Sequence, residues 1–114
     1  MIQTLNIEKE VLACDQALAK VLSEIEILKM QNEIKIIKVI HGYGSSGVGG
    51  KIKQELKILL QTLLKQNKIK YFVQNEKFTP QKKEYKIYTT LYPELILESD
   101  LQNLNPGITL IFLK

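Results

Sequence analysis

The sequence predicts an α/β fold: a two-layer sandwich in which a mixed four-stranded sheet carries two helices on one face, in the order strand, helix, strand, helix, strand, strand. Three observations predict it. Two long stretches repeat apolar residues at helical spacing, short β-branched runs precede, separate and follow them, and a glycine-rich segment joins one such run to a basic helix.

Residues 2 to 7 (IQTLNI) form the first strand, with Ile2, Thr4 and Asn6 alternating against Gln3, Leu5 and Ile7. From Glu10 to about Asn32, Val11, Cys14, Leu18, Val21, Leu22, Ile25 and Leu28 mark one amphipathic helix, with Cys14 as a small filler on its buried stripe. Ile36 to Ile40 is apolar except for Lys38, which suits a central strand covered on both faces. After the glycines, Ile52, Leu56, Leu59, Leu60, Leu63 and Leu64 mark the second helix, whose other side carries Lys53, Lys57 and Lys65. Ile69 to Gln74 is the third strand, with Tyr71 and Val73 following Ile69 on one face, and Pro106 and Gly107 turn the chain into the last, Ile108 to Leu113. The connection from Asn75 to Asn105 has weak periodicity apart from a helical turn at Pro93 to Leu97, where proline and Glu94 suit a helix start. A connection this long is usually functional or an added element. With two helices on one face, the other face of the sheet is expected to be partly open.

The 114 residues make one domain, 1–114, with an extended connection at 75–105. Apolar residues at 45% and charged residues at 25% are the balance of a folded globule. A single cysteine cannot close an internal disulfide, and no apolar stretch reaches the roughly 18 residues that span a bilayer. The opening MIQTLNIEKE lacks a basic segment followed by an apolar one, so no membrane association and a cytoplasmic location are expected. The net charge of +4 favours an anionic partner, and all sixteen cationic residues are Lys. Lysine is a flexible point charge and not a bidentate reader of base edges, so nucleic acid would be held mainly by backbone and shape, with little sequence discrimination.

The segment IIKVIHGYGSSGVGGKIKQELKI carries the chemistry. A strand ends on the only histidine, His41, passes glycines 42, 44, 47, 49 and 50, and re-emerges as a basic helix, an arrangement suited to presenting backbone N–H groups to phosphate. Ser45 and Ser46 supply hydroxyls, and Lys51, Lys53 and Lys57 bring positive charge beside the loop. His41, with an ordinary pKa near 6.5, can exchange a proton at neutral pH or hydrogen-bond a phosphate as imidazolium. Glu8, at the end of the first strand, would orient that imidazole if the two strands are neighbours. Lys35, Lys38, Lys68 and Lys70 read as solubilising strand-end lysines, and no metal-ligand spacing is present. A P-loop is excluded, because Ser45 stands six before Lys51 and Ile52 follows it. Gly42, Gly44 and Gly47 satisfy a dinucleotide fingerprint, but Glu76 lies beyond the usual offset of about twenty residues.

The isoleucine-rich strand ending in HGYG, the glycine loop into a basic helix, CDQAL in the first helix and the closing NPGITLIFL together resemble the small MutS-related (Smr) domain over about Leu5 to Leu113. The resemblance implies a fold like the C-terminal domain of the third bacterial translation initiation factor. It also implies binding to DNA or RNA and, in many members, metal-assisted nicking or endonucleolytic cleavage. It makes His41, Gly42 and Gly44 candidates for the active face, with Gly107 and Thr109 as the closing glycine-threonine signature beside it. A divalent metal is then the cofactor to expect of an active nuclease. The sequence departs from the pattern where the family's first strand ends in Leu-Asp-x-His or Leu-Asp-x-Arg: here Leu5, Asn6, Ile7 and Glu8 stand there, and Asn cannot ionise to hold a metal or act as a base. Gly49 and Gly50 occupy positions where relatives have Leu and Arg, while Lys51 remains. The expectation is a divergent nucleic-acid-binding domain using the loop from His41 to Lys53, with residual endonuclease activity through His41 and Glu8. The alternatives are a non-catalytic scaffold module and a dinucleotide-binding protein.

Overall fold

The computed structural model describes residues 2–8, 13–31, 33–42 and 48–113, apart from the side chains of Val48, Gly49 and Asp100. Strands β1 (Ile2–Asn6), β2 (Ile36–Ile40), β3 (Tyr71–Gln74) and β4 (Ile108–Phe112) form one sheet in the order β1-β2-β4-β3. β2 pairs parallel with β1, and β4 runs antiparallel between β2 and β3. The carboxyl ends of β1, β2 and β3 and the amino end of β4 therefore share one edge of the sheet.

Helices α1 (Cys14–Lys29) and α2 (Val48–Lys65) cover one face, as the periodicity predicts. Ala17, Val21, Ile25 and Leu28 from α1 and Ile52, Leu56, Leu60 and Leu63 from α2 bury against Leu5, Ile37, Val39 and Ile111. Cys14 is partly buried against this core, and burial raises its thiol pKa. Ala13, at the N-cap of α1, has no side-chain acceptor; instead Gln16 reaches back to accept its N–H at 3.1 Å and Asp15 sits in the first turn, favourable for the helix dipole. At the other end of α2, Asn67 at φ 59° closes the helix with the paired bonds Lys68 N–H to Leu63 O (2.9 Å) and Asn67 N–H to Leu64 O (3.1 Å), a Schellman motif.

The opposite face is not left open. Residues 75–105 fold over it as a 3-10 turn (Asn75–Lys77) and helices α3 (Lys83–Leu91), α4 (Glu94–Leu97) and α5 (Ser99–Gln102). Phe78, Tyr88, Leu95 and Leu101 pack on Ile36, Val73, Ile108, Leu110 and Phe112. Aromatic rings dominate: Tyr88 lies 4.1 Å from Phe112 and 5.4 Å from Tyr71, with the Tyr71 and Tyr88 planes only 9° apart. Packed on both faces, β2 and β4 are almost wholly buried.

Two further expectations are corrected by side-chain direction. Ile69 lies before β3 and joins the helix-side core, whereas Tyr71 and Val73 face the aromatic cluster. Lys38 is not a solubilising strand-end residue. It lies mid-strand on the aromatic side, its side chain is 7% exposed, and it reaches the Glu98 carboxylate between α4 and α5 at 3.4 Å, tying the added layer to the sheet.

Phe112→Ala, which empties the meeting point of strand and aromatic layer, is expected to lower unfolding free energy by about 3–5 kcal/mol in urea denaturation. Leu91→Ala, at a side chain 60% exposed, is expected to change it by about 0.5 kcal/mol or less.

Candidate functional site

The shared sheet edge gathers Asn6 and Glu8 after β1, His41 and Gly42 after β2, Asn75 and Glu76 after β3, and Asn105 to Gly107 before β4. Two short asparagine turns shape it. Asn6 Oδ1 accepts the Glu8 N–H at 3.0 Å, and Asn105 Oδ1 accepts the Gly107 N–H at 2.8 Å. Asn6, which cannot serve as the acidic group of the Smr pattern, thus ends β1 by folding the chain back on itself.

His41 continues the alternation of β2, so its ring shares the helix-facing side with Ile37 and Val39 and is fully buried. Its Nδ1 lies 2.5 Å from the Gly42 carbonyl and its Nε2 lies 2.8 Å from the Thr109 hydroxyl, which is also buried. A carbonyl only accepts, so Nδ1 carries the proton. Burial lowers the imidazole pKa more than the Gly42 carbonyl raises it, and nearby Lys53 lowers it further while Glu76 opposes this. The ring is then neutral at pH 7, with Nε2 accepting the Thr109 O–H. A histidine accepting from a threonine hydroxyl has the polarity of a base and nucleophile, but here both groups are buried.

The backbone is equally committed. The Gly107 carbonyl accepts both the His41 N–H (2.9 Å) and the Gly42 N–H (3.1 Å). A Cβ on Gly107 would stand 3.1 Å from Gly42 Cα, and Gly42 itself has φ 76°, with the Glu8 carboxylate seated where its own Cβ would be. These glycines are required by a close crossing of β2 and β4, one adopting a left-handed conformation and the other leaving room for it.

Several site expectations change accordingly. His41 does not present an imidazolium to solvent, because both ring nitrogens are spent inside the fold. Glu8 does not orient the imidazole; its carboxylate lies over Gly42, and the ring's partners are Gly42 and Thr109. Gly42, Gly107 and Thr109 are buried packing and hydrogen-bonding positions and not surface contacts. Lys53 bonds the Glu76 carboxylate and the Pro106 carbonyl (2.9 Å), so it braces α2 against the ends of β3 and β4. The second Glu76 oxygen is buried without a hydrogen-bond partner among the described residues. Gly44, Ser45, Ser46 and Gly47 lie outside the described residues. Lys51 and Lys57 are exposed on α2. Among the described residues, no three His, Cys, Asp or Glu side chains stand close enough to hold a metal.

Sequence reasoning finds the turn at Pro106 and Gly107 but not the Asn6 turn or the Lys53–Glu76 pair. The Asn-x-Glu and Asn-Pro-Gly spacings carry a turn signal, but the ion pair joins positions from separate elements and has none.

The imidazole gives stability a pH dependence of known sign. Above about pH 6.5 His41 is neutral in folded and unfolded chains alike; below it the unfolded chain takes up a proton that the folded chain refuses. Stability should therefore fall with falling pH, by up to about 1.4 kcal/mol per unit, until the lowered folded pKa is passed. Urea melts of wild type and His41→Gln across this range should show the extra slope in wild type only; equal slopes would contradict it. Gly107→Ala should cost about 1–3 kcal/mol, because the clash is with backbone. No family model, curated protein or solved structure matches this chain.

Proposed function

We propose that this chain is a nucleic-acid-binding module of the Smr-like kind that holds backbone phosphates through lysines and performs no cleavage. The burial of His41 carries the non-catalytic part: the one imidazole in the chain is enclosed, neutral and hydrogen-bonded at both nitrogens. The acidic groups nearby do not replace it, since Glu76 is paired with Lys53 and Glu8 sits over Gly42.

Binding rests on α2. Lys51, Lys57 and Lys65 are exposed along this helix against a single exposed acid, Glu55, and exposed Lys68 and Lys70 continue the charge toward β3. The rigid backing of α2 by the core keeps these cations on one face while their stems stay free to follow a phosphate backbone. Such contacts read charge spacing and not base identity, in keeping with a chain that lacks arginine. The arrangement of strands and helices fits the fold that the resemblance implies, and the mixed α/β sheet supports that part of the reading.

Binding of duplex DNA and of structured RNA measured against salt tests the proposal. With the three α2 lysines on phosphates, the slope of log affinity against log salt on duplex should be about −2 to −3, and Lys57→Ala should reduce it by about 1 without changing sequence preference. A flat salt profile would contradict the phosphate mode. Incubated with magnesium, supercoiled plasmid and structured RNA should stay intact; cleavage that disappears in His41→Ala would contradict the non-catalytic reading.

A further inference from the structure

Charge is not spread evenly along the chain. Between Lys51 and Lys86 stand ten lysines and three glutamates, a net +7, so the other residues together carry −3 of the overall +4. The fold turns this asymmetry of sequence into one of space, in the same direction on both faces of the sheet. On the helix face, Lys53 ties α2 to Glu76 and Pro106 at the ends of β3 and β4, whereas α1, which joins β1 to β2, carries three acids and two lysines. On the aromatic face, Tyr88 of α3 stacks on Tyr71 of β3, whereas Glu98 reaches Lys38 of β2 and holds there a segment, 94–102, with three acids and no lysine.

Cations therefore gather around β3, an edge strand of the sheet. Exposed Lys57 and Lys65 stand on one side of it, exposed Lys70 and Lys77 bracket it in sequence, and exposed Lys83 and Lys86, neighbours three apart on α3, stand on the other. The acids of this region do not cancel them. Eight exposed lysines between Lys51 and Lys86 face one exposed acid, Glu55. Glu76 is bonded to Lys53, and Glu84, in the first turn of α3, is half buried near the Tyr71 and Tyr88 phenols, whose pKa burial raises and the Glu84 charge raises further. Lysine at an edge strand also blunts pairing with other chains, which accounts for Lys70 at the start of β3. It does not account for the lysines on the two flanking helices.

We infer that the phosphate-binding surface wraps the β3 edge, with α2 and α3 as its two shoulders, and that its ligand is a duplex whose two backbones meet one shoulder each. This rests on the phosphate-binding reading above and names the form of its ligand. Shape selects the duplex. A flat anionic bilayer laid on either helix layer leaves the lysines of the other on its far side, and a single extended backbone follows one side of the edge. The two backbones that rim a groove flank an edge turned toward it, and flexible lysine stems reach phosphates on either rim. The 75–105 layer then does more than cover the sheet: it supplies the second set of cations.

Salt titrations of binding to a duplex and to a single strand of the same length, followed by fluorescence anisotropy, test the inference. The α2 lysines alone account for a duplex slope of about −2 to −3, and Lys83 and Lys86 should steepen it to about −4 to −5. The double variant Lys83→Ala, Lys86→Ala should return the duplex slope to about −2 to −3 with unchanged circular dichroism, and should leave the single-strand slope as in wild type. Lys83→Arg, Lys86→Arg should keep the wild-type slopes, and so should Lys29→Ala on α1. A duplex slope that falls with Lys57→Ala but is indifferent to the α3 pair would overturn the wrapped surface and leave phosphate binding by α2 standing. Equal losses on duplex and single strand would overturn the assignment of a duplex, and a flat wild-type profile would remove phosphate binding itself.

Discussion

Everything at the shared edge of the sheet depends on one clasp between β2 and β4. The Gly107 carbonyl takes the N–H groups of His41 and Gly42, and the His41 ring closes back on the Gly42 carbonyl and the Thr109 hydroxyl. Placing a histidine there is costly unless both nitrogens are satisfied and the ring is uncharged, so burial and hydrogen bonding fix its protonation state together. The two glycines serve the same crossing in different ways: Gly42 adopts a left-handed φ of 76° with the Glu8 carboxylate against it, and Gly107 leaves room for the Gly42 backbone, which a Cβ would meet at 3.1 Å.

That clasp explains why a segment that looks like a phosphate cradle gives little electrostatic support to one among the described residues. The neutral ring adds no charge, Lys53 is matched by Glu76, and Glu8 places a carboxylate over Gly42. Positive charge lies instead outside the clasp, along the solvent face of α2. A surface of lysines on a rigid helix suits contacts that are electrostatic and insensitive to sequence, whereas the enclosed edge suits structural duty.

The sandwich was largely legible because its signals are local. Helical spacing in α1 and α2, β-branched runs and the Asn-Pro-Gly turn each declare themselves within a few residues. The third layer was not, although Tyr85, Tyr88 and Tyr92 recur three and four residues apart, because lysines and threonines dilute the stripe and tyrosine is at home on a surface as well as in a core. The role of Lys38 has no local signal because its partner, Glu98, is sixty residues away in sequence. His41 was the most instructive: strand parity already grouped it with inward-facing Ile37 and Val39, but its place before a glycine loop suggested a ligand more strongly than the alternation suggested a core. Composition identifies a histidine's chemistry; only its direction decides whether a substrate meets it.

The most direct measurement is the ionisation of that ring, followed by NMR through its carbon-bound protons and ring nitrogens as pH is lowered, with and without inorganic phosphate. The expected result is an Nδ1–H neutral tautomer at pH 7 that persists below the ordinary histidine value of about 6.5 and is indifferent to phosphate. A ring that titrates at that ordinary value and moves when phosphate is added would contradict it.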